Sequence, residues 1–335
     1  MSKIRFVFTL LAVSVCLLSW IQRNPNKWTG SDNLYDVLWD LGEPKPPHYI
    51  VPTQKQIEQG REIVFNGRTR DANGKKTTYV SRYYTCITCH NTVREDPDIS
   101  ISDPETRLDY AIKYKLPFLQ GTTFKGIVNR ESWYNDDYIK KYGSEKIKMA
   151  HKDLRKSIQL CAIECSQGRL MKQWELEAVL AYYWSLQWKM SDLKLSDADW
   201  NKLNNSKDKE ATRKWLKTKY LQKSPAHFYK PPKSLKAGYE DTKKGNPERG
   251  KAVYDLSCLW CHNNLGVSHY VLDNSTVSLQ NLRYNLYKNT HFSLYYIITY
   301  GTYSVPGHRP YMPHYPIERL SKQQIEDLKS YILKR

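Results

Sequence analysis

The chain has 335 residues, 40% of them hydrophobic, long enough for two ordinary domains that can each bury a core. Lys and Arg exceed Asp and Glu by a net charge of +18, a balance that calls for an acidic partner, an anionic substrate or an anionic membrane surface. No nucleic-acid motif accompanies the charge, so a nucleic-acid partner is not expected.

Residues 1–22 read as a signal peptide or membrane anchor. Lys3 and Arg5 precede an apolar run over 6–21, a positive n-region followed by an h-region of signal-peptide length. The run is short for a membrane span, which takes about 20 residues. No A-x-A cleavage pattern follows, so an uncleaved anchor stays open. Cys16 reads as an apolar member of the h-region, with lipidation as the alternative. In every case the body is expected to be exported and periplasmic, soluble or tethered by this segment.

Residues 23–52, rich in Pro, Asn and Trp, read as an extended lead-in. Thr53 with Gln56 three residues on marks a capping box, opening a helix that runs through Phe65. Gly60 in that helix allows a partner helix to approach. Residues 66–84 form a polar loop with an Asn73-Gly74 turn signal.

Cys86-Ile87-Thr88-Cys89-His90 follows. C-x-x-C-H is the attachment signature of a c-type haem. Two thiols one helical turn apart add to the two vinyl groups, and the adjacent histidine meets the iron as proximal ligand. A metal or redox C-x-x-C pair that happens to precede His is the alternative. A second copy, Cys258-Leu259-Trp260-Cys261-His262, decides for two covalently attached haems, with His90 and His262 as proximal ligands. These motifs take four of the seven cysteines.

Residues 99–116 read as loop then helix, with Pro104 near the helix start, and 117–133 as irregular. The spare Cys161 and Cys165 lie in 153–171. Four residues apart on a helix, they face one side in poor geometry for a disulfide. Residues 174–188 are helical by period and are expected to lie across the helix of 53–65, closing a first domain over 53–190. Residues 191–245 form a connector: 193–221 charged and helical, with Trp200 and Trp215 as anchors, and 224–245 a Pro- and Lys-rich linker. Residues 246–335 repeat the plan in a second domain. A helix over 247–256 carries Gly250 and Tyr254, and the motif follows. A helix over 279–300, a loop at Arg309-Pro310-Tyr311-Met312-Pro313 and a final helix capped by Ser321 with Gln324 complete it. The expected fold is mostly α, with two such domains in tandem.

The second domain resembles the C-terminal half of many cytochrome c domains in its motif, in Met312 within a Tyr-Met-Pro loop, and in the helix beginning at Leu320-Ser321. The resemblance implies His262 and Met312 as axial ligands. A buried core methionine is the other reading of Met312, and His269, His308 and His314 are alternative donors expected at the surface. The first domain lacks a Met-Pro loop, and Met149, Met171 and Met190 are candidates by type only.

Its stretch Ser157-Ile158-Gln159-Leu160-Cys161-Ala162-Ile163-Glu164-Cys165-Ser166-Gln167-Gly168, followed by Glu175-Leu176-Glu177-Ala178-Val179-Leu180-Ala181-Tyr182, is similar to the corresponding stretch of dihaem thiosulfate dehydrogenases. That resemblance implies Cys161 as distal ligand of the first haem. It also implies two fused cytochrome c domains, with an active-site His/Cys haem and an electron-exit His/Met haem. A thiolate is an anionic donor that stabilises ferric iron and lowers the potential. Cys165, a methionine, a histidine or an open position are the other readings. The family's Arg-Ser-Met-Asn after the cysteine is Glu164-Cys165-Ser166-Gln167 here, and its Pro-Pro-Leu-Trp-Gly segment is missing.

Residues 124–135 sit where that family places a distal-pocket loop. Lys125 and Arg130 can hold an oxyanion there; otherwise Arg130 serves a haem propionate and Trp133 packs the edge. Arg169 carries the same two readings. The resemblance thus implies thiosulfate/tetrathionate interconversion at the first haem, with Cys161, Lys125, Arg130 and Arg169 as the catalytic set. Electrons would leave through the second haem to a redox partner protein. The alternative is a dihaem carrier serving a terminal oxidase or reductase. A dihaem peroxidase is a third reading, and the sequence shows no peroxide-site motif for it.

Overall fold

Helices carry the fold, and among the described residues no strand accompanies them, only the isolated bridges Asn33–Lys189 and Arg70–Lys76. The computed structural model describes residues 27–290, 292–302 and 311–334. The expected signal or anchor segment and the alternative donor His308 lie outside the described residues. No described helix is long and apolar enough to cross a membrane.

The first half runs through α1 (Leu34–Asp40), α2 (Gln54–Asn66), α3 (Pro104–Tyr114), α4 (Ile139–Tyr142), α5 (Ser144–His151), α6 (Leu154–Leu160) and α7 (Gln173–Ser185). The connector holds α8 (Asp197–Asn205) and α9 (Lys209–Lys217). The second half adds α10 (Pro247–Val253), α11 (Leu259–His262), α12 (Thr276–Asn285), α13 (Leu294–Tyr300) and α14 (Lys322–Lys334).

Helix α2 starts as expected. Thr53 accepts from the Gln56 amide, and the Gln56 side chain answers the Thr53 amide at 3.1 Å. It lies across α7, and a Cβ at Gly60 would overlap the Ala178 carbonyl. In the second half α10 crosses α14 in the same manner, and a Cβ at Gly250 would overlap the Asp327 carbonyl. Only glycine lets the two backbones meet this closely. Ser321 and Gln324 cap α14 reciprocally, at 3.0 Å each way.

Two main cores result. The first gathers Leu34, Leu38, Ile63, Val64, Val179, Leu180 and Trp184; the second gathers Val253, Tyr254, Tyr295, Ile325, Leu328 and Ile332. Each fully buried aliphatic among them contributes roughly 1.5–3 kcal/mol.

Four segments depart from the sequence expectation. The one helix expected over 279–300 is two, α12 and α13. The lead-in is not extended throughout: α1 forms within it and buries Leu34, Val37 and Leu38 in the first core. The connector is not a free spacer. Leu203, Leu216 and Tyr220 enter the first core, while Leu235 and Tyr239 enter the second. Helix α3, in the first half by sequence, gives Leu108 and Ala111 to the second core. Contiguous boundaries miss this, because periodicity shows an apolar face and not the core it faces.

The two halves are pinned by a buried ionic junction. Arg319, just before α14, meets Glu95 at 2.7 Å and donates to the carbonyls of Leu119 and Gly121. Arg107 on α3 donates to the carbonyls of Leu119 and Arg319. Burial pushes the Glu95 carboxyl up, and the Arg319 guanidinium more than reverses this, holding it at about 2.

Candidate functional site

One large cavity opens beside the first motif. It holds about 1460 Å³ of space between the side chains, solvent at its open mouth included. Cys86, Cys89 and His90 line one side. Cys86 to Thr88 form a 3₁₀ turn, whose Thr85–Thr88 capping box sets the two thiols. The His90 Nδ1–H donates to the Thr122 carbonyl at 2.6 Å, which leaves Nε2 as the unprotonated donor. The ring stacks on Phe124 at 4.4 Å, and Phe124 in turn on Tyr183 at 4.5 Å. Burial holds the imidazole neutral, its pKa pushed down to about 4. A Cβ at Gly121 would come 2.6 Å from the His90 ring, so that position must stay bare.

Cys161 and Cys165 line the same cavity. Helix α6 does not end at Leu160; it widens into a π turn over Cys161–Cys165, with the Ser166 amide donating to the Cys161 carbonyl at 2.9 Å. π turns are rare and favour functional sites. Both thiols are free. The Cys165 sulfur accepts from the Tyr142 hydroxyl at 3.3 Å and lies 3.7 Å from that of Tyr134. A hydrogen bond from Cys161 pulls the Cys165 thiol below its ordinary value, helped by Lys141 and the two tyrosines. The same bond, with burial, pushes Cys161 up.

Of the methionine alternatives, Met171 lines the cavity, Met149 is exposed, and Met190 is buried in the first core. Lys125, Arg130 and Arg169 are absent from the cavity lining. The Lys125 ammonium meets the Gln187 carbonyl at 3.0 Å and Asp192 at 3.3 Å. Arg130 donates to the hydroxyls of Thr122 at 3.1 Å and Ser224 at 2.7 Å, on the His90 side. Arg169 makes a two-pronged bond to Glu175, both contacts 2.7 Å. Tyr134, within the stretch expected as a distal-pocket loop, lines the cavity, and the sequence missed Lys141, Tyr138 and Tyr142, which line it too. No motif marks them.

The second motif has the same local logic on a different scaffold. Helix α10 passes through a π turn, Tyr254–Cys258, directly into α11, which carries Cys261 and His262. The His262 Nδ1–H donates to the Tyr270 carbonyl at 2.7 Å, so Nε2 is again the free donor. Met312 is half-buried and packs against the second core, as do Cys258 and Leu259. Its amide donates to the Thr302 hydroxyl at 2.8 Å, and its carbonyl accepts from the Thr302 amide at 2.8 Å. His269 is exposed, as expected. His314, also expected at the surface, instead lines the first cavity. The short 313–316 stretch before α14 turns it across the junction.

The two motifs touch. The Trp260 indole of the second donates to the Thr88 carbonyl of the first at 3.1 Å. The Tyr84 hydroxyl, two residues before Cys86, donates to the Tyr311 carbonyl and accepts from the Tyr311 amide, both at 2.7 Å.

Residues 247–335 match the Cytochrome c family model. No curated protein and no solved structure matches the chain. The C-terminal region is therefore a cytochrome c domain, and such a domain carries covalently bound c-type haem and serves electron transfer. The residues present suit that group: two free thiols and a histidine whose Nδ1 is already engaged.

Proposed function

We propose that the chain is a periplasmic dihaem cytochrome c that interconverts thiosulfate and tetrathionate at the first motif and passes electrons through the second. The observation that carries this reading is the single cavity uniting Cys86, Cys89 and His90 with the Cys161–Cys165 pair. An attachment motif facing a sulfur donor is the arrangement expected of a His/Cys centre. The group bound there would accept electrons one at a time and pass them on.

Two thiosulfate dianions lose one electron each as one S–S bond forms, which gives tetrathionate and two electrons. The chain's part is to bring two anions together and to exclude water, and the apolar, tyrosine-rich wall suits the second task. Cys161 is the proposed distal donor. Cys165 is the second reading, favoured by the Tyr142 and Tyr134 hydroxyls at 3.3 and 3.7 Å from its sulfur. At the exit centre His262 and Met312 are the proposed ligands. The hydrogen bond from Trp260 to Thr88 joins the two motifs, which suits passage of electrons between them. The basic surface and the N-terminal segment fit an exported protein, tethered or free, that meets an acidic redox partner.

A carrier without substrate is the competing function. It is favoured by the engagement of Lys125, Arg130 and Arg169 within the chain. Cys161→Met separates the two readings. Replacing an anionic donor with a thioether raises the first potential and removes most thiosulfate-dependent turnover, while the second centre still takes electrons from a small reductant. An unchanged potential and spectrum in Cys161→Met, with a change in Cys165→Ala, moves the donor one helical turn. No thiosulfate-dependent turnover in the parent protein leaves the carrier.

A further inference from the structure

The cavity beside the first motif has one lysine and one arginine in its lining, Lys141 and Arg319, and burial pushes the Lys141 pKa down. Arg319 is neutralised by Glu95 at 2.7 Å. Lys141, on α4, has no carboxylate within ion-pair reach among the described residues. Its ammonium donates to His314 Nδ1 at 3.4 Å and faces the rings of Tyr142 and Tyr311 at 5.1 and 5.5 Å. His314 comes from the other half of the chain. That contact fixes the direction of the ammonium within the cavity. A buried ammonium without a counter-charge is costly. Of the chain's own groups the Cys165 thiol acts on it most strongly, and Glu164 acts on it as well.

We propose that Lys141, positioned by His314, seats a small divalent oxyanion in the first cavity beside Cys165, so that the binding site is completed only where the two halves of the chain meet. The class is thiosulfate or a dianion of like size. The tyrosine hydroxyls of Tyr134 and Tyr142, already turned toward the Cys165 sulfur, are donors for its oxygens. Haem propionates share this chemistry, but they leave the porphyrin at the edge opposite the vinyl thioethers. Lys141 lies at the thioether edge. The Tyr311 ring it faces belongs to the residue bonded to Tyr84, two residues before Cys86. The inference rests on the proposed role of the first motif as a substrate site, and it moves the anion-holding task from Lys125, Arg130 and Arg169 to Lys141.

The test is isothermal titration of the full-length, haem-loaded protein with sodium thiosulfate and with redox-inert sodium sulfate, at constant ionic strength. Both anions are expected to bind saturably to the parent protein. Lys141→Gln weakens each by about tenfold or more, which corresponds to about 1.4 kcal/mol. Lys141→Arg keeps affinity within a few-fold, and His314→Gln weakens it less than Lys141→Gln does. An unaltered spectrum at the second motif certifies the fold of each variant. Absence of saturable binding to the parent overturns the proposal, because the ammonium then serves Cys165 or the propionates. Equal affinity in Lys141→Gln overturns it as well. Lys141-dependent binding without turnover keeps the oxyanion seat and refutes the enzyme. Turnover with an unchanged KM in Lys141→Gln keeps the enzyme and refutes the seat.

Discussion

In both halves a helix bearing a glycine crosses the helix that closes the unit, and a C-x-x-C-H motif lies between them. What faces the motif differs. In the second half α10 runs through a π turn straight into the motif, and Met312 packs against the same core as Cys258. In the first, residues 67–85 intervene, and Val80, Tyr84 and Thr85 from that loop become cavity wall. There the π turn carries the paired cysteines instead. The helix crossing is shared, and the loop before the first motif adds wall to the cavity there.

The comparison breaks most visibly at the junction. Removing one partner of a buried ion pair leaves the other charge uncompensated, a loss of about 3–5 kcal/mol. Glu95→Gln should therefore lower stability by that order in chemical denaturation, with Arg319 stranded. The pH dependence has a definite sign. A carboxyl whose folded pKa is depressed contributes stability above its unfolded value, and that stability is lost as pH falls through the folded value. The parent should lose a component between its ordinary value near 4.5 and about 2. The Gln variant should lack that component, and an identical acid profile in both would remove Glu95 from the account.

A smaller effect is expected at the helix crossings. Gly60→Ala forces α2 off α7, and overpacking of this kind costs about 1–3 kcal/mol. It should loosen the first half, seen as faster amide exchange in α2 and α7, and leave α10 and α14 protected. Gly250→Ala should do the reverse. Loss of protection in all four helices together would mean that the halves do not behave as separate units.

The smallest change tests how one half braces the other. Tyr84→Phe removes two hydrogen bonds to the backbone of Tyr311, each worth about 0.5–1.5 kcal/mol. Met312 is the next residue. The variant should keep haem attachment and weaken the proposed Met312 ligation at the second motif, read as a lowered potential of that centre. An unmoved potential would show that Tyr84 braces the loop without reaching the ligand.

Much of this was legible in the sequence, because both motifs are contiguous and the helix crossings are marked by glycines at the right spacing. The capping residues of α2 and α14 were legible for the same reason: a box spans four positions. The pocket was not. Lys141, Tyr138 and Tyr142 follow no pattern that separates them from surface residues, and only the tertiary fold turns them inward. His314 and Arg319 cross from one half to the other, and a contiguous domain boundary hides this. Lys125 and Arg169 have the charge that an anion site wants, and their partners Asp192 and Glu175 become apparent only once the chain has folded.

The central claim is two haems on one scaffold with different distal donors. Low-temperature EPR of the oxidised, full-length protein tests it most directly. The account predicts two low-spin ferric species in equal amounts, one with the narrow g-spread of thiolate ligation and one with the wide spread of a histidine–methionine pair. A single ferric species, or two species that both lack thiolate character, would contradict it.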